Sequence, residues 1–221
     1  RRNSLFESDI INNQKKLFSE IKDKSVLVIG GAGTIGSSYI KALLKYSPKK
    51  LVVVDNNENG LTELTRKLRS DNTVIMPKEY LTYPMSFSSS LFYRMFEKSG
   101  GFDIIANFAA HKHVRSEKDF YSIQAMIENN VFEAKKLLDF LLKYKPSHFF
   151  CVSTDKAANP VNVMGGSKKI MENLILAYSK DIKITTARFA NVAFSNGSLL
   201  DGFINRILQM QPISCPSDVQ R

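Results

Sequence analysis

A glycine-rich turn between an apolar run and a helical pattern carries the clearest chemical signal in this chain of 221 residues. The segment SVLVIGGAGTIGSSYIKALL, residues 25–44, predicts a buried strand, a tight turn and a helix. Glycines at this spacing let the backbone approach a pyrophosphate closely, and the N–H groups at the start of the new helix attract its charge. The turn therefore predicts a dinucleotide site, with a plain glycine loop in an unrelated α/β domain as the alternative. The candidate cofactor-binding residues on the turn are Gly30, Gly33, Thr34, Ile35 and Gly36.

The run KKLVVVD adds a second buried strand, which ends at Asp55. A carboxylate at this distance from the glycines accepts hydrogen bonds from the ribose hydroxyls of a dinucleotide. Its negative charge repels the extra phosphate of NADP, and Asn56 beside it offers no positive charge in exchange. The sequence therefore favours NAD as the cofactor. NADP is the alternative, with Arg66 or Lys78 folded back over the adenosine.

Small and polar residues end another apolar run, in IIANFAAHKHV. Asn107, Ala109 and Ala110 leave room where the ribose and nicotinamide of a dinucleotide pass, because a bulky side chain there would block the ring. A buried alanine pair that serves helix packing is the alternative. Lys112 and His113 follow at once and are candidates for contacts with substrate phosphate or hydroxyl groups, although a lone histidine is more often structural.

Hydroxyl, carboxyl and amine groups follow the next apolar run, in FFCVSTDKAANPVNVMGGSKK. Thr154, Asp155 and Lys156 leave the carboxyl end of a predicted strand, which is the edge where open α/β sheets bind ligands. Met164 and Lys168 are four residues apart and therefore share a face of the helix that follows. Taken alone, these residues also fit a solvated turn and a core-filling methionine.

Four segments together resemble the extended short-chain dehydrogenase/reductases, and within them the polysaccharide-biosynthesis branch of UDP-N-acetylglucosamine 4,6-dehydratases. The segments are VLVIGGAGTIG, NFAAHKHV, STDKAANPVNVMGGSKK and RFANVAFSNGSL, and the resemblance extends over residues 24–221. Its most specific part is Thr154-Asp155-Lys156 followed by NPVNVMG. The resemblance implies an NAD-dependent enzyme that makes a 4-keto-6-deoxy sugar nucleotide for a bacterial surface polysaccharide or glycan.

The same resemblance implies an internal redox cycle. Hydride leaves C4 of the sugar, a base removes the proton at C5, water is lost from C6, and hydride returns to C6, so the cofactor ends unchanged. Asp155 is expected to be the acid that assists water loss and Lys156 the base at C5, with Thr154 hydrogen-bonded to the C4 oxygen. Lys168 is expected to hold the nicotinamide ribose and to bias nearby proton transfer by its charge.

Met164 departs from the wider family, whose members carry tyrosine four residues before the lysine as the base for the alcohol. A thioether has no proton to exchange, so the base for the C4 hydroxyl is left open among Lys156, Asp155 and a water, with Lys156 favoured. Methionine is also found at this place in some members of the branch. A further departure is Ser86 in PMSF, where the family often has an acid near the adenine.

The segment RFANVAFSNGSLLDGFINRI contains the last candidate site residues. Asn191 and Val192 are expected beside the sugar nucleotide, and Asn196 and Ser198 in a substrate loop whose N–H groups face phosphate. A β-turn around Asn196 and Gly197 is the alternative.

Short β-branched runs that alternate with longer amphipathic stretches must position these groups. The alternation predicts right-handed crossovers and a parallel sheet covered on both faces, and hence a doubly wound α/β fold of the Rossmann type. The expected strands are residues 26–29, 51–54, 73–76, 103–107, 148–153 and 183–187. The expected helices are residues 35–44, 60–68, 89–98, 122–144 and 165–179, with residues 80–90 as a loop.

Length predicts one domain over residues 24–221, preceded by an arm at residues 1–23. In the arm Leu17, Phe18 and Ile21 recur at helical intervals, so an amphipathic helix either packs beside the domain or binds a partner. The family resemblance implies that the substrate-binding region continues beyond residue 221. An apolar stripe within residues 122–144 predicts a homo-oligomer. The stripe consists of Ile123, Met126, Ile127, Val131, Leu137, Leu138 and Leu141.

A net charge of +10 suits an anionic nucleotide or UDP-sugar. The lysines and arginines are scattered and no recognition motif accompanies them, which argues against nucleic acid as a partner. Cys151 and Cys215 have neither disulfide nor metal-ligand spacing, which predicts free thiols, no metal site and a cytoplasmic location. No apolar run approaches the length that crosses a bilayer.

The leading hypothesis is a UDP-N-acetylglucosamine 4,6-dehydratase, a hydro-lyase. A dehydratase that also inverts C5, or a 4-epimerase, is the nearest alternative, although a 4-epimerase is expected to keep the tyrosine and to lack Asp155-Lys156. A protein that binds nucleotides without turnover is the second alternative, motivated by Met164.

Overall fold

A six-stranded parallel sheet organises the chain, in a computed structural model that describes residues 6–110 and 119–213. The strands are β1 (Ser25–Ile29), β2 (Lys50–Asp55), β3 (Glu79–Pro84), β4 (Ile104–Asn107), β5 (His148–Thr154) and β6 (Ile184–Phe189). Their order across the sheet is β3-β2-β1-β4-β5-β6, and every neighbouring pair is parallel. This is the doubly wound order, in which the connections reverse direction between β1 and β4. The predicted fold class is confirmed.

The helices of the described residues connect these strands, except for two that precede β1 and one that follows β6. They are α1 (Glu7–Asn12), α2 (Gln14–Ile21), α3 (Thr34–Leu44), α4 (Glu58–Ser70), α5 (Ser90–Lys98), α6 (Phe120–Ile127), α7 (Glu133–Tyr144), α8 (Val163–Tyr178) and α9 (Leu199–Leu208). A π-helix (Glu128–Phe132) joins α6 to α7, and a single 3₁₀ turn (Asp155–Ala157) follows β5. Helical structure in residues 122–144 agrees with the sequence, and its π-helical centre does not show in the pattern.

The central strands are buried on both faces, which explains why they are nearly continuous apolar runs. Val26 and Val28 face one side of the sheet, where they pack with Ile40 of α3 and Leu64 of α4. Alternate residues face the other side, where Leu27 packs with side chains of α5, α7 and α8. A chain folded in this way carries helices on both faces of one sheet.

The third strand is the element that the sequence analysis places wrongly. Residues 73–76 are irregular, and their apolar side chains Val74 and Met76 pack against the core without joining the sheet. The strand is Glu79–Pro84, within a segment expected to be a loop. Among residues 6–110 and 119–213, β3 pairs with β2 alone and lies at the sheet edge, where half-buried side chains and a terminal proline are tolerated. Its sequence therefore lacks the apolar run of a central strand.

The arm before β1 forms the two short helices α1 and α2, neither of which has a buried residue. Ile21 packs against the core, while Phe6, Ile11 and Phe18 are exposed. In the part of the chain that the structure describes, no helix combines the length and the apolar character that a membrane-spanning segment needs.

Candidate active site at the carboxyl edge of the sheet

The dinucleotide turn, residues 30–36, follows β1 and lies where the chain connections reverse direction, between the carboxyl ends of β1 and β4. Gly30 has a φ of +75°, and a Cβ placed on it would lie 2.6 Å from the backbone nitrogen of Ala109. A Cβ on Gly36 would lie 2.4 Å from the carbonyl oxygen of Gly30. The turn therefore needs residues without side chains at both places, and it leaves the first turn of α3 open toward a ligand. Gly33 precedes Thr34 as the N-cap of α3, and Ile35 lies in its first turn.

Asp55 is tied to the dinucleotide turn by its own carboxylate. One oxygen accepts a hydrogen bond from the Ala32 N–H and the other from the Asn57 N–H, each at 2.9 Å. These contacts orient the carboxylate beside the turn, and Asn56 next to it is exposed. The geometry fits the ribose-binding role expected of Asp55. The sequence analysis does not predict the hydrogen bond between the Ala32 N–H and the Asp55 carboxylate.

The residues at the end of β4 pack against the dinucleotide turn. Asn107 is buried, and its side-chain oxygen accepts a hydrogen bond from the Ala109 N–H at 2.9 Å. Ala109 and Ala110 are half-buried, and Ala109 lies against Gly30. The expected place of the nicotinamide beside these small residues stays a prediction. Lys112 and His113 lie outside the described residues.

Residues 154–156, which we name the acid–base turn after the roles predicted for them, begin at the last residue of β5 and enter the 3₁₀ turn. The Thr154 hydroxyl donates to Oδ1 of Asp155 at 2.9 Å, and the Lys156 backbone N–H donates to the same oxygen at 3.0 Å. Nζ of Lys156 is 3.4 Å from that oxygen. The Thr154 hydroxyl and the Lys156 charge lower the pKa of Asp155, so the ligand-free protein holds it as a carboxylate. The structure brings these three predicted residues together.

Lys168 lies beneath this turn with its amine in the core. Its residue exposure is 5%, and Nζ donates to the carbonyl oxygen of Val152 at 3.2 Å. Burial lowers the pKa of Lys168 to about 8, because a low-dielectric environment disfavours the ammonium form. Met164 is buried one helical turn earlier on α8. A thioether therefore occupies the position where the wider family has its tyrosine.

Two buried polar residues that the sequence analysis overlooks fix the first turns of α8. Asn130 of the π-helix donates from Nδ2 to the Ser167 hydroxyl at 3.1 Å, and Ser167 donates to the Met164 carbonyl oxygen at 2.8 Å. Both Asn130 and Ser167 are almost fully buried. A π-helix shifts the side chains that follow it relative to an α-helix, and π-helices are frequent at functional sites. An amide followed by a valine gives no local signal for this contact.

An ion pair between the buried Glu172 and the partly exposed Arg188 joins α8 to β6, and the sequence analysis does not predict it. Glu172 accepts two hydrogen bonds from the Arg188 guanidinium, at 2.9 and 2.7 Å. This contact lowers the pKa of the Glu172 carboxyl. The bidentate pair fixes the end of β6, from which the next segment departs.

The substrate loop, residues 190–198, runs from β6 to α9. Asn191 is exposed and Val192 is half-buried. The Ser198 N–H donates to the Ser195 carbonyl oxygen at 2.8 Å, which closes the turn that was the alternative interpretation, and the Ser198 hydroxyl accepts from the N–H of Asp201 at the start of α9. The Asn196 N–H donates to Oγ1 of Thr34 at 3.1 Å, so the loop reaches the dinucleotide turn.

Two other sequence expectations concern Ser86 and metal binding. The Ser86 hydroxyl hydrogen-bonds to the Ser88 hydroxyl at 2.8 Å, just after β3. Residues 6–110 and 119–213 contain no group of three or more His, Cys, Asp or Glu side chains arranged to hold a metal ion. Cys151 is a buried free cysteine, and burial raises the pKa of its thiol to about 11.

Comparison with known proteins gives matches along most of the chain. The capsular polysaccharide biosynthesis protein CapD of Staphylococcus aureus is 32% identical over 200 residues, which make up 88% of this chain and 32% of that protein. The UDP-glucose 4-epimerase of Rickettsia canadensis is 29% identical over 192 residues, or 85% of this chain and 54% of that protein. The chain therefore spans about a third of the one relative and about half of the other.

A solved structure shows the same fold. The UDP-glucuronic acid 4-epimerase of Bacillus cereus, in complex with NAD, matches with a TM-score of 0.70 and 21% identity, over 88% of this chain and 66% of that one. A profile of the family described as "Polysaccharide biosynthesis protein" matches residues 26–218. The chain belongs to this polysaccharide-biosynthesis family of the extended short-chain dehydrogenase/reductases.

Proposed function

We propose that this chain is the cofactor-binding part of an NAD-dependent nucleotide-sugar 4,6-dehydratase that acts on UDP-N-acetylglucosamine in the synthesis of a surface polysaccharide. The observation that carries the proposal is the acid–base turn. The Thr154 hydroxyl, the Lys156 backbone N–H and the Lys156 amine all lie within 3.4 Å of Oδ1 of Asp155. They lie at the sheet edge where such folds bind ligands. The family and the name of the S. aureus relative support a role in polysaccharide synthesis.

The dinucleotide turn supports NAD as the cofactor. Gly30 and Gly36 form a cradle that any Cβ would fill, and Asp55 stands beside it as the acceptor for ribose hydroxyls. When bound there, NAD supplies a reversible acceptor for the hydride of C4. Asp55 favours NAD over NADP because its charge opposes the additional phosphate. Lys168 would hold the nicotinamide ribose, as the family resemblance implies.

The proton at the C4 hydroxyl needs an acceptor other than tyrosine, because Met164 occupies that position. In our proposal Lys156 releases its own proton to solvent as the sugar nucleotide binds. The free amine then takes the C4 proton and passes it to the Asp155 carboxylate, whose Oδ1 is 3.4 Å from Nζ. The transfer leaves Lys156 neutral again and Asp155 as the carboxylic acid. One residue is thereby ready to remove the C5 proton, and the other to protonate the departing C6 hydroxyl.

The sugar itself makes this transfer favourable. In the ligand-free protein Thr154 and Lys156 hold Asp155 as a carboxylate in an exposed turn. A bound hexose displaces water from the turn, which disfavours the Lys156 ammonium before the reaction. Once Lys156 has taken the C4 proton, the same loss of water favours the neutral amine and the carboxylic acid over the ion pair. Water leaves C6 with the proton from Asp155, and hydride and the C5 proton return to carbons 6 and 5. Lys156 regains its own proton from solvent when the product leaves. The net change is the loss of one water.

The experiment incubates full-length protein with NAD and UDP-N-acetylglucosamine and follows the mass of the sugar nucleotide. We expect a product lighter by one water. Lys156→Ala should abolish that product and leave NAD bound, whereas Lys180→Ala, which removes an exposed lysine after α8, should behave as the wild type. An unchanged substrate mass with NAD bound would contradict the dehydratase and favour a protein without turnover. Dehydration by Lys156→Ala would contradict the assigned base.

A 4-epimerase is the second candidate, because a relative 29% identical to this chain is named UDP-glucose 4-epimerase. An epimerase leaves the mass of the sugar nucleotide unchanged and inverts C4. Proton NMR of the product separates the two reactions, since dehydration creates a C6 methyl group and epimerisation does not. The same spectrum shows whether C5 is inverted during dehydration.

A further inference from the structure

The substrate loop and the dinucleotide turn are joined by one hydrogen bond between residues far apart in the chain. The backbone N–H of Asn196 donates to Oγ1 of Thr34 at 3.1 Å. Thr34 is the first residue of α3, so its backbone belongs to the helix start that faces the cofactor phosphates in the proposed function. Its side-chain hydroxyl accepts the hydrogen bond from the substrate loop. One residue thus belongs to both binding regions.

The loop is built as a unit that this contact can hold in place. The Gly197 N–H donates to the Asp201 carboxylate at 3.0 Å, and Ser198 caps α9, so the loop and the start of α9 are locked together. Phe194 and Gly197 have φ angles of +56° and +75°, which give the segment a sharp turn. Phe194 is 62% exposed, as expected of a segment with few packing contacts to hold it. The position of the unit therefore depends on polar contacts such as that with Thr34.

We infer that the Thr34 hydroxyl couples the two binding regions, so that NAD on the dinucleotide turn tightens binding of the UDP moiety at the substrate loop. This inference rests on the proposed function. A cofactor that fixes the backbone of Thr34 also fixes its hydroxyl, and the loop is then already ordered when the nucleotide sugar arrives. Linkage requires that UDP tightens binding of NAD by the same factor. One neutral hydrogen bond supplies a factor of roughly two to ten.

The experiment measures the Kd of UDP for the full-length protein by titration calorimetry, without NAD and with saturating NAD. We expect NAD to tighten UDP binding by roughly two- to tenfold in the wild type and in Thr34→Ser, which keeps the hydroxyl. Thr34→Val has the same branching without the acceptor, and its ratio of UDP Kd values without and with NAD should fall to about one, with NAD held at saturation for the Kd measured on that variant. Thr34→Ala removes the same acceptor and replaces Thr34→Val if that variant does not fold.

Hydrogen–deuterium exchange of peptides from residues 190–200 gives a second reading. NAD should slow exchange in the wild type and in Ser38→Ala, which removes an exposed hydroxyl bonded to the Thr34 carbonyl oxygen, but not in Thr34→Val. If NAD and UDP both bind and the wild type shows no coupling, or if Thr34→Val keeps it, this inference is overturned alone. If neither ligand binds the wild type, the proposed function falls and the inference with it.

Discussion

The buried amine of Lys168 makes the stability of the fold depend on pH. Its pKa is about 8 in the folded protein, against 10.5 for an ordinary lysine, because burial disfavours the charge. Between these values the unfolded chain binds more protons than the folded one, so the contribution of this residue to stability rises with pH across this window. We expect the unfolding free energy of the wild type, relative to Lys168→Met, to rise by about 3 kcal/mol from below pH 8 to above pH 10.5.

Urea unfolding at a series of pH values measures this difference. Lys168→Met also leaves the Val152 carbonyl oxygen without the amine that donates to it, which costs stability equally at every pH. Only the slope therefore reports the titration. Lys180→Met removes an exposed lysine and serves as the control for the loss of one such side chain. Parallel curves for the wild type and Lys168→Met would show that the amine titrates alike in the folded and unfolded states.

In the proposed function, the charge of Asp55 determines the choice between NAD and NADP. Asp55→Asn keeps an acceptor for the Ala32 N–H and removes the charge that repels the NADP phosphate. We expect the preference for NADH over NADPH to fall by roughly tenfold or more, measured by fluorescence titration of both cofactors. Glu58→Gln, an exposed charge in the first turn of α4, is the matched control and should leave the preference in place. An unchanged preference in Asp55→Asn would remove the charge argument for NAD.

At the scale of elements, the close approach of α8 to the acid–base turn depends on Gly165. A Cβ at this position would lie 2.7 Å from the carbonyl oxygen of Lys156, a backbone atom that cannot rotate away. Gly165→Ala must push the turn and α8 apart. We expect kcat of dehydration to fall by roughly tenfold or more, because a shift of about an ångström in the acid and base costs that much. The Kd of NAD should change little, since the dinucleotide turn lies elsewhere.

Gly166 is the matched control, since a Cβ there meets no atom within 4 Å. Gly166→Ala should keep the wild-type kcat and raise the unfolding free energy by roughly 0.5–1 kcal/mol, because alanine is the better helix former. Steady-state kinetics and thermal unfolding of both variants give the comparison. Equal kcat values for Gly165→Ala and Gly166→Ala would mean that the spacing between α8 and the turn does not matter for the reaction.

The elements that were predictable are those whose burial is complete. β1 and β2 are packed on both faces, so each is a continuous apolar run that predicts a strand. Asp55 is the last residue of β2. β3 is half-exposed at the edge and contains Pro84, so its pattern resembles a loop. The contact of Asn196 with Thr34 spans 162 residues, and no local pattern encodes it. Local pattern thus located the chemical groups but not the hydrogen bonds that orient them.

For the whole molecule, the stripe predicted in residues 122–144 divides into a buried part and a half-buried part. Its buried members pack in the interior of this chain, and they are Met126, Val131, Leu137, Leu138 and Leu141. Ile123 and Ile127 instead line a mostly apolar groove together with Phe120 and Phe132, whose exposed fractions are 71% and 61%. Its polar lining residues, Gln124 and Glu128, hydrogen-bond to each other. Large apolar side chains grouped in this way on a surface mark an interaction site.

We expect this groove to be the contact between copies of the chain, so that the full-length protein sediments as a homo-oligomer. Phe132→Glu places a charge at the groove and should shift the protein to monomer at micromolar concentration, because an unpaired charge in an apolar interface is costly. Ile75→Glu makes a similar change at a 76%-exposed residue before β3 and should leave the assembly intact. A monomeric wild type, or a Phe132→Glu variant that stays associated, would mean that the groove has a different role. Sedimentation velocity of the three proteins at matched concentrations decides among these outcomes, and the same samples, assayed for NAD binding, show whether the dissociated protein remains folded.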